Sequence, residues 1–360
     1  MKGLRYLVLT PGVTGADGIA EVSRLALRAL GASGTRSVPA RVDVVSLTDP
    51  PGSSMDDRDA PGVRLFGAGG RRFRFVTAAV RAGLRAGVPR ILCLHVHMSP
   101  LTWLLAGRSA VFLYGIEAWR PLEWMERLAL RRAKILLAIS AYTVKRFREA
   151  NPDFHDRPVR ICHPGVRERD AAPVSAGRAA ACPWPSALIV GRMAAEERYK
   201  GHDLLIDIWP SVVDAVPDAR LVIVGDGDDR ARLEARAAHM EDRVSFRGRV
   251  SEGVLVQLYR DCAFFVMPSR DEGFGLVFLE AMHAGKACIG CAGAAAEVIW
   301  DGVTGFVVEQ DREQVLRAVL RLFREPELCR RMGEAGSARV AGEFTEAHFR
   351  RRFRAHLGLA

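Results

Sequence analysis

The stretch Glu272-Gly273-Phe274-Gly275-Leu276-Val277-Phe278-Leu279-Glu280 decides how this chain is read. It leads from an apolar run at residues 263–269, which reads as a strand, into a segment with the apolar spacing of an amphipathic helix. Glycines at 273 and 275 let the backbone come close to a ligand. The first amides of a helix that begins here, Phe274 to Val277, lack intrahelical partners, and such a helix start attracts phosphate. Two carboxylates beside a phosphate would be repelled by it. Glu272 and Glu280 therefore make sense where each turns toward neutral hydroxyls, and a sugar nucleotide offers these at its sugar and its ribose, with the diphosphate between.

Outward from this stretch, short apolar runs alternate with amphipathic segments, the pattern of parallel sheets covered by helices. Strands are expected at residues 6–10, 42–47, 91–96, 110–114, 135–139 and 159–162, and again at 187–190, 221–224, 244–246, 263–267 and 287–289. Residues 170–186 are rich in Ala and Pro without periodicity and read as a linker. A length of 360 residues also favours two domains over one. Apolar content of 49% and charged content of 26% are those of a soluble globular protein, and no apolar run approaches the roughly 20 residues that span a bilayer. Residues 1–10 read as a first strand rather than a signal peptide. Seven scattered cysteines point to reduced thiols and a cytoplasmic setting, and Cys288 and Cys291 form a lone CxxC with no second pair to complete a zinc site.

Before the opening stretch, Ala187-Leu188-Ile189-Val190 reads as a strand whose Gly191-Arg192 places a guanidinium at its carboxyl end, suited to grip a phosphate in a fork. Lys200-Gly201 follows after a loop. Val222-Ile223-Val224-Gly225-Asp226-Gly227 and Val244-Ser245-Phe246-Arg247-Gly248-Arg249-Val250 read as further strands and turns. This order of motifs resembles the retaining GT-B glycosyltransferases of family 4, whose signature is Glu, seven residues, Glu in a strand-to-helix setting. The family pattern upstream is Gly-Arg, a variable loop, then Lys-Gly and a helix. The resemblance is strongest over residues 188–308 and more diffuse in the first half. It implies an α/β, GT-B architecture: two Rossmann-like doubly wound parallel-sheet domains facing a central cleft. The boundaries are an acceptor-binding domain at residues 1–175, a donor-binding domain at 176–342, and a helix at 343–360 crossing back to the first domain. It further implies that Glu272 and the backbone of Gly273, Phe274, Gly275, Leu276 and Val277 hold the donor sugar and phosphate. Glu280 would hold the ribose, Arg192 and Lys200 would neutralise the leaving diphosphate, and the backbone at Arg249 and Val250 would line the base pocket. The spacer Glu196-Glu197-Arg198-Tyr199 makes this loop longer than the shortest family versions. Two fixed cations can replace a divalent metal, so no metal or other cofactor is expected. Asp56-Asp57 and Asp228-Asp229 read as loop tips.

In the first half, Gly12, Gly15 and Gly18 follow the first strand with the spacing Gly-x2-Gly-x2-Gly, which is not the dinucleotide fingerprint and disfavours a hydride-transferring enzyme. In resembled enzymes this loop closes over the donor phosphate, and Gly15 is the residue selected. Many family members carry His-Gly after a later strand, where the His sits near the transferred sugar. Tyr114-Gly115 stands there in this chain. A tyrosine can bond a sugar hydroxyl, but it is a poor general base near neutral pH. His95 and His97 alternate at the end of the expected strand 91–96. Both are ordinary packing histidines by default, with His97 at the crevice end and Glu117 nearby as candidates to touch the acceptor. Ser140 reads as a helix cap.

Net charge divides unevenly. Residues 1–180 hold 28 Lys and Arg against 15 Asp and Glu, and residues 181–360 hold 24 against 27. In the basic half, Arg71, Arg72, Arg74 and Arg85, and then Arg127, Arg131, Arg132 and Lys134, share stretches with Phe, Trp and Leu at helical spacing. Such stretches suit an anionic membrane surface, against the alternative of a solvated basic face. Arg350, Arg351, Arg352 and Arg354 cluster near the end, but no nucleic-acid module surrounds them. The reading is a retaining, metal-independent transferase that moves a hexosyl unit from a UDP- or GDP-sugar to a glycan, lipid-linked or small-molecule acceptor in cell-envelope polysaccharide biosynthesis. Alternatives are another GT-B activity such as an epimerase or phosphorylase, a natural-product glycosyltransferase, and a non-catalytic sugar-nucleotide-binding subunit.

Overall fold

The computed structural model describes residues 5–15, 17–31, 41–55, 60–85, 90–105, 107–167 and 185–359. Asp56-Asp57 and most of the expected linker, residues 170–184, lie outside the described residues. The chain divides into two compact units, Met1–Gly165 with Glu346–Ala360, and Val166–Thr345.

Among the described residues of the first unit are β1 (Arg5–Thr10), α1 (Gly18–Gly31), β2 (Arg41–Ser46), β3 (Val63–Gly67), α2 (Arg72–Arg85), β4 (Arg90–Cys93) and α3 (Ser99–Leu104). They continue with β5 (Arg108–Leu113), α4 (Trp124–Arg132), β6 (Ile135–Ala138), α5 (Ala141–Ala150) and β7 (Val159–Ile161). The strands form a parallel sheet in the order β3-β2-β1-β4-β5-β6-β7. Helices cover it, so the central strands are apolar on both faces: Leu7, Val8, Leu9, Val111, Phe112 and Leu113 have no measurable exposure. At about 1.5–3 kcal/mol for each large apolar side chain removed from water, these strands anchor the unit's core.

The second unit contains β8 (Ser186–Val190), α6 (His202–Ala215), β9 (Arg220–Val224), α7 (Arg230–Ala237), β10 (Val244–Gly248), α8 (Glu252–Asp261), β11 (Phe264–Met267), α9 (Leu276–His283), β12 (Cys288–Cys291) and α10 (Ala295–Val298). After these come β13 (Gly305–Val308), α11 (Arg312–Arg324) and α12 (Pro326–Glu343). Its parallel sheet runs β10-β9-β8-β11-β12-β13. Phe264, Phe265 and Phe278 pack edge-on within it, Phe265 against Phe278 at 5.4 Å between centroids and Phe264 against Phe323 at 4.7 Å. The last helix, α13 (Glu346–Leu357), clusters with the first unit. Its Phe349 and Phe353 are fully buried and stacked at 5.2 Å, and Glu346 Oε1 accepts from Arg28 Nε at 2.7 Å.

Three details differ from the sequence expectations. The edge strand β3 was not foreseen, because its residues alternate between half-buried and exposed and present no apolar run. β4 ends at Cys93 rather than residue 96, and the chain turns at once into a short 3-10 segment, Val96–Met98, capped by His95. His95 and His97 therefore do not alternate on a strand. The helix after Glu272 starts at Leu276 instead of Phe274, because Gly275 is left-handed (φ +85°) and Phe278 N bonds back to Gly275 O. Cys288 and Cys291 are buried in β12, and burial pushes the Cys291 thiol up to about 12.

Candidate functional site

In the second sheet the chain leaves β8 toward β9 on one side, while β11 lies on the other. The loops after β8 and β11 therefore diverge at a switch point, the place where open parallel sheets bind ligands. Arg192 stands just past β8, and Glu272 lies between β11 and α9. Four charged groups meet here although they come from two distant stretches. Lys200 Nζ lies 3.2 Å from Glu272 Oε1 and 3.7 Å from Glu197 Oε2. Arg192 donates to Glu197 through both Nε, at 3.2 Å, and Nη2. Ser269 Oγ is 3.4 Å from Glu272 Oε1.

Backbone packing makes this meeting possible. Gly201, after Lys200, is left-handed at φ +87°, and a Cβ there would stand 2.6 Å from Pro268 Cγ. Only glycine lets the Lys-Gly turn press onto the end of the β11 strand. Gln310 then ties the two loops, donating Nε2 to Tyr199 O at 2.7 Å and to Pro268 O at 2.6 Å. Arg198 is held away by Asp229 at 2.9 Å, and His202, buried below, is pushed down to about 4 by burial and then by the Lys200 charge. His202 is thus a neutral neighbour of Lys200.

The α9 start presents the amides of Leu276 and Val277, which a helix's first turn leaves without intrahelical partners. Phe274 is buried, with its ring 6.0 Å from that of Phe344, so its backbone alone can serve a ligand. Gly275 has no room for a side chain, since a Cβ would meet the Phe278 ring at 2.5 Å. Glu280 is the fifth residue of α9, and its Oε2 accepts from Tyr259 Oη at 2.8 Å. Val250 follows β10 and precedes Ser251, the cap of α8. Glu272, Arg192 and Lys200 are thus brought together, with Gly273 to Val277 and Glu280 on the adjoining loop and helix.

In the first unit, Gly15 belongs to a loop that Asp49 fastens from below: Val13 N and Thr14 N donate to its carboxylate at 2.8 and 3.0 Å, and Thr14 Oγ1 at 2.6 Å. Burial alone would raise the Asp49 carboxyl, but these bonds and Ser46 bring it below the usual carboxylate range. Arg24 Nη1 clamps the Val13 and Gly15 carbonyls at 2.6 and 2.7 Å. Tyr114 is buried, its ring edge-on to Phe112 at 5.0 Å, and burial raises its hydroxyl far above the ordinary range. Glu117 bonds the Tyr114 amide at 2.7 Å and closes the turn after β5, and its carboxyl is raised by burial. His97 is exposed, with Nδ1 2.9 Å from Glu126 Oε1 and from Arg120 Nη2. Glu126 is buried, which would raise its carboxyl, yet His97, Arg120 and the Glu123 amide lower it overall.

The sequence reading passed over Glu197, Tyr259, Gln310 and Asp49. Tyr259 and Gln310 carry no motif. Glu197 lies in the spacer Glu196-Glu197-Arg198-Tyr199, where nothing in the local sequence separates it from its neighbour Glu196. In the structure Glu196 is exposed and Glu197 is buried.

A model of the family described as glycosyl transferases group 1 matches residues 185–325. The chain is 30% identical over 258 residues to a GDP-mannose-dependent monoacylated alpha-(1-6)-phosphatidylinositol monomannoside mannosyltransferase of Corynebacterium glutamicum, covering 67% of this chain and 68% of that protein. It is 30% identical over 233 residues to the alpha-D-kanosaminyltransferase of Streptomyces kanamyceticus, covering 62% of this chain and 60% of the other. Among solved structures, sucrose-phosphate synthase from Thermosynechococcus elongatus superposes with a TM-score of 0.79 at 21% identity, covering 99% of this chain and 100% of that one. With its two parallel-sheet units and this kinship, the chain belongs to the glycosyl transferases group 1 family and is a glycosyltransferase of GT-B fold.

Proposed function

We propose that this glycosyltransferase moves a hexosyl unit from a UDP- or GDP-sugar, with retention at the anomeric carbon and without a metal ion, to a glycan or lipid-linked acceptor of the cell envelope. The observation that carries the reading is Lys200 Nζ lying 3.2 Å from Glu272 Oε1 across 72 residues of chain, beside Arg192 and the start of α9. In it, Arg192, Lys200 and the α9 amides take up the charge that develops on the nucleoside diphosphate as the glycosidic bond breaks. Glu272 faces the sugar hydroxyls and Glu280 the ribose. In the same reading Val250 of the second unit and Gly15 of the first are donor-binding residues, Tyr114 is a catalytic residue, and His97 and Glu117 bind the acceptor.

Replacing Lys200 with Ala, or Glu272 with Ala, should lower transfer by about 10²–10³-fold, the usual cost of one preorganised charge-stabilising group, while circular dichroism stays unchanged. Full turnover in either folded variant would overturn the assignment. In the same assay, activity should persist with a chelator and the product anomer should match the donor by NMR.

The setting we propose is peripheral, on the inner face of the membrane. Among the described residues no helix is long and apolar enough to cross a membrane. On the first unit α2 exposes Phe73 at 80% and Leu84 at 78%. Its Arg74, Arg81 and Arg85 join Arg5, Arg41 and Arg64 along a groove of about 800 Å³ where, among the described residues, Asp43 is the one lining carboxylate. Exposed aromatics among arginines suit anionic headgroups over an apolar boundary.

A further inference from the structure

The spacer acid Glu197 stands where the donor-site reading puts an anion. Its carboxylate takes two donors of Arg192, in the fork by which a guanidinium also grips a phosphate. The same carboxylate lies 3.7 Å from Lys200 Nζ, whose other neighbour is Glu272. Arg192 and Lys200 thus each already face a carboxylate, Glu197 for the first and Glu197 with Glu272 for the second. Glu197 is fixed: its side chain is 11% exposed, its amide bonds Ala194 O at 2.8 Å, and Arg198 and Ala195 pin the loop through Asp229 and Asp228. Arg192 is the movable partner, with a side chain 61% exposed. The exposed guanidinium, not the buried carboxylate, is the member of the pair that can swing to another anion.

We propose that Glu197 is a built-in stand-in for the donor's diphosphate. It holds Arg192 and Lys200 in place while the site is empty and competes with the nucleoside diphosphate for them, which weakens donor capture and speeds release of the product. The inference rests on the donor-site reading and adds to it a residue that sets affinity. The competition is electrostatic, so it has a signature that a packing role lacks. Removing the carboxylate charge leaves the cradle one unit more positive, and nucleotide binding then depends more steeply on salt.

The test is calorimetric titration of UDP and of GDP into the wild-type chain, Glu197→Gln, Glu197→Asp and Lys200→Ala at two or more salt concentrations. Glu197→Gln should bind the recognised nucleotide about 3- to 10-fold more tightly than wild type, with a steeper loss on adding salt, and under saturating donor its kcat should fall as release slows. Glu197→Asp, which keeps the charge, should bind no more tightly than wild type. Equal or weaker binding by folded Glu197→Gln, or tighter binding by Glu197→Asp, overturns the proposal while wild-type binding and its loss in Lys200→Ala leave the donor site standing. A wild-type chain that binds neither nucleotide, or a Lys200→Ala variant that binds as well as wild type, overturns the donor-site reading and this proposal with it.

Discussion

At the scale of single residues, the site depends on groups that hold other groups. Tyr259 is 3% exposed, and its hydroxyl donates to Glu280 at 2.8 Å. One carboxylate oxygen of Glu280 is thereby fixed from the protein side. Tyr259→Phe keeps the ring and its packing near Phe265, so the expected result is a KM for donor raised by about 5- to 10-fold at little change in kcat, the size of one ordinary hydrogen bond. Steady-state kinetics against donor concentration checks this, with melting temperature as the control. An equal fall in kcat and unchanged KM would place Tyr259 outside donor positioning. Motif spacing showed Glu280 but not Tyr259, because the partner of a motif residue is chosen by how α8 packs beside α9, and no local pattern encodes that.

At the scale of elements, α9 shows how a turn sets a chemical surface. The sequence placed the helix start at Phe274, two residues too early, since Phe274 shares the apolar spacing of the helix. What stops the helix is Gly275 at φ +85°, with the Phe278 ring filling the space a Cβ would need. Gly275→Ala forces a left-handed alanine, at about 1–2 kcal/mol from that strain alone, and presses on Phe278. The expected outcome is a destabilised chain with donor KM raised more than melting temperature would suggest, read by thermal unfolding beside nucleotide titration. Normal nucleotide affinity in that variant would mean that the α9 start does not touch the donor. The β3 edge strand is the opposite case. Its half-exposed alternation gives the eye little to hold, and pairing with β2 alone makes it a strand.

Across the whole molecule, charge asymmetry acquires a location in the first unit. The sequence showed arginines on the α2 segment, and the structure adds Arg5, Arg41 and Arg64 from the amino ends of β1, β2 and from β3 to the same groove. Co-sedimentation with vesicles containing anionic lipid should therefore retain the chain at low salt and release it at about 0.5 M, where the screening length falls to a few ångströms. Phe73→Ser with Leu84→Ser should lower retention without altering the unfolding midpoint, as both side chains face solvent. Equal retention on neutral vesicles would remove the electrostatic account.

The sequence by itself determined the alternation of strands and helices, the motif order that identifies the fold, and the identity of Arg192, Lys200, Glu272 and Glu280 as the groups to watch. These are local properties, set by side-chain periodicity and by glycines that only one backbone conformation suits. The tertiary structure decided which charges meet. Glu197 turning inward while Glu196 faces water, Gln310 tying two loops more than 40 residues apart, and Asp49 fastening the Gly15 loop follow from long-range packing. A carboxylate near a cation lowers its energy whatever the distance along the chain, so only the folded arrangement can say which one it finds.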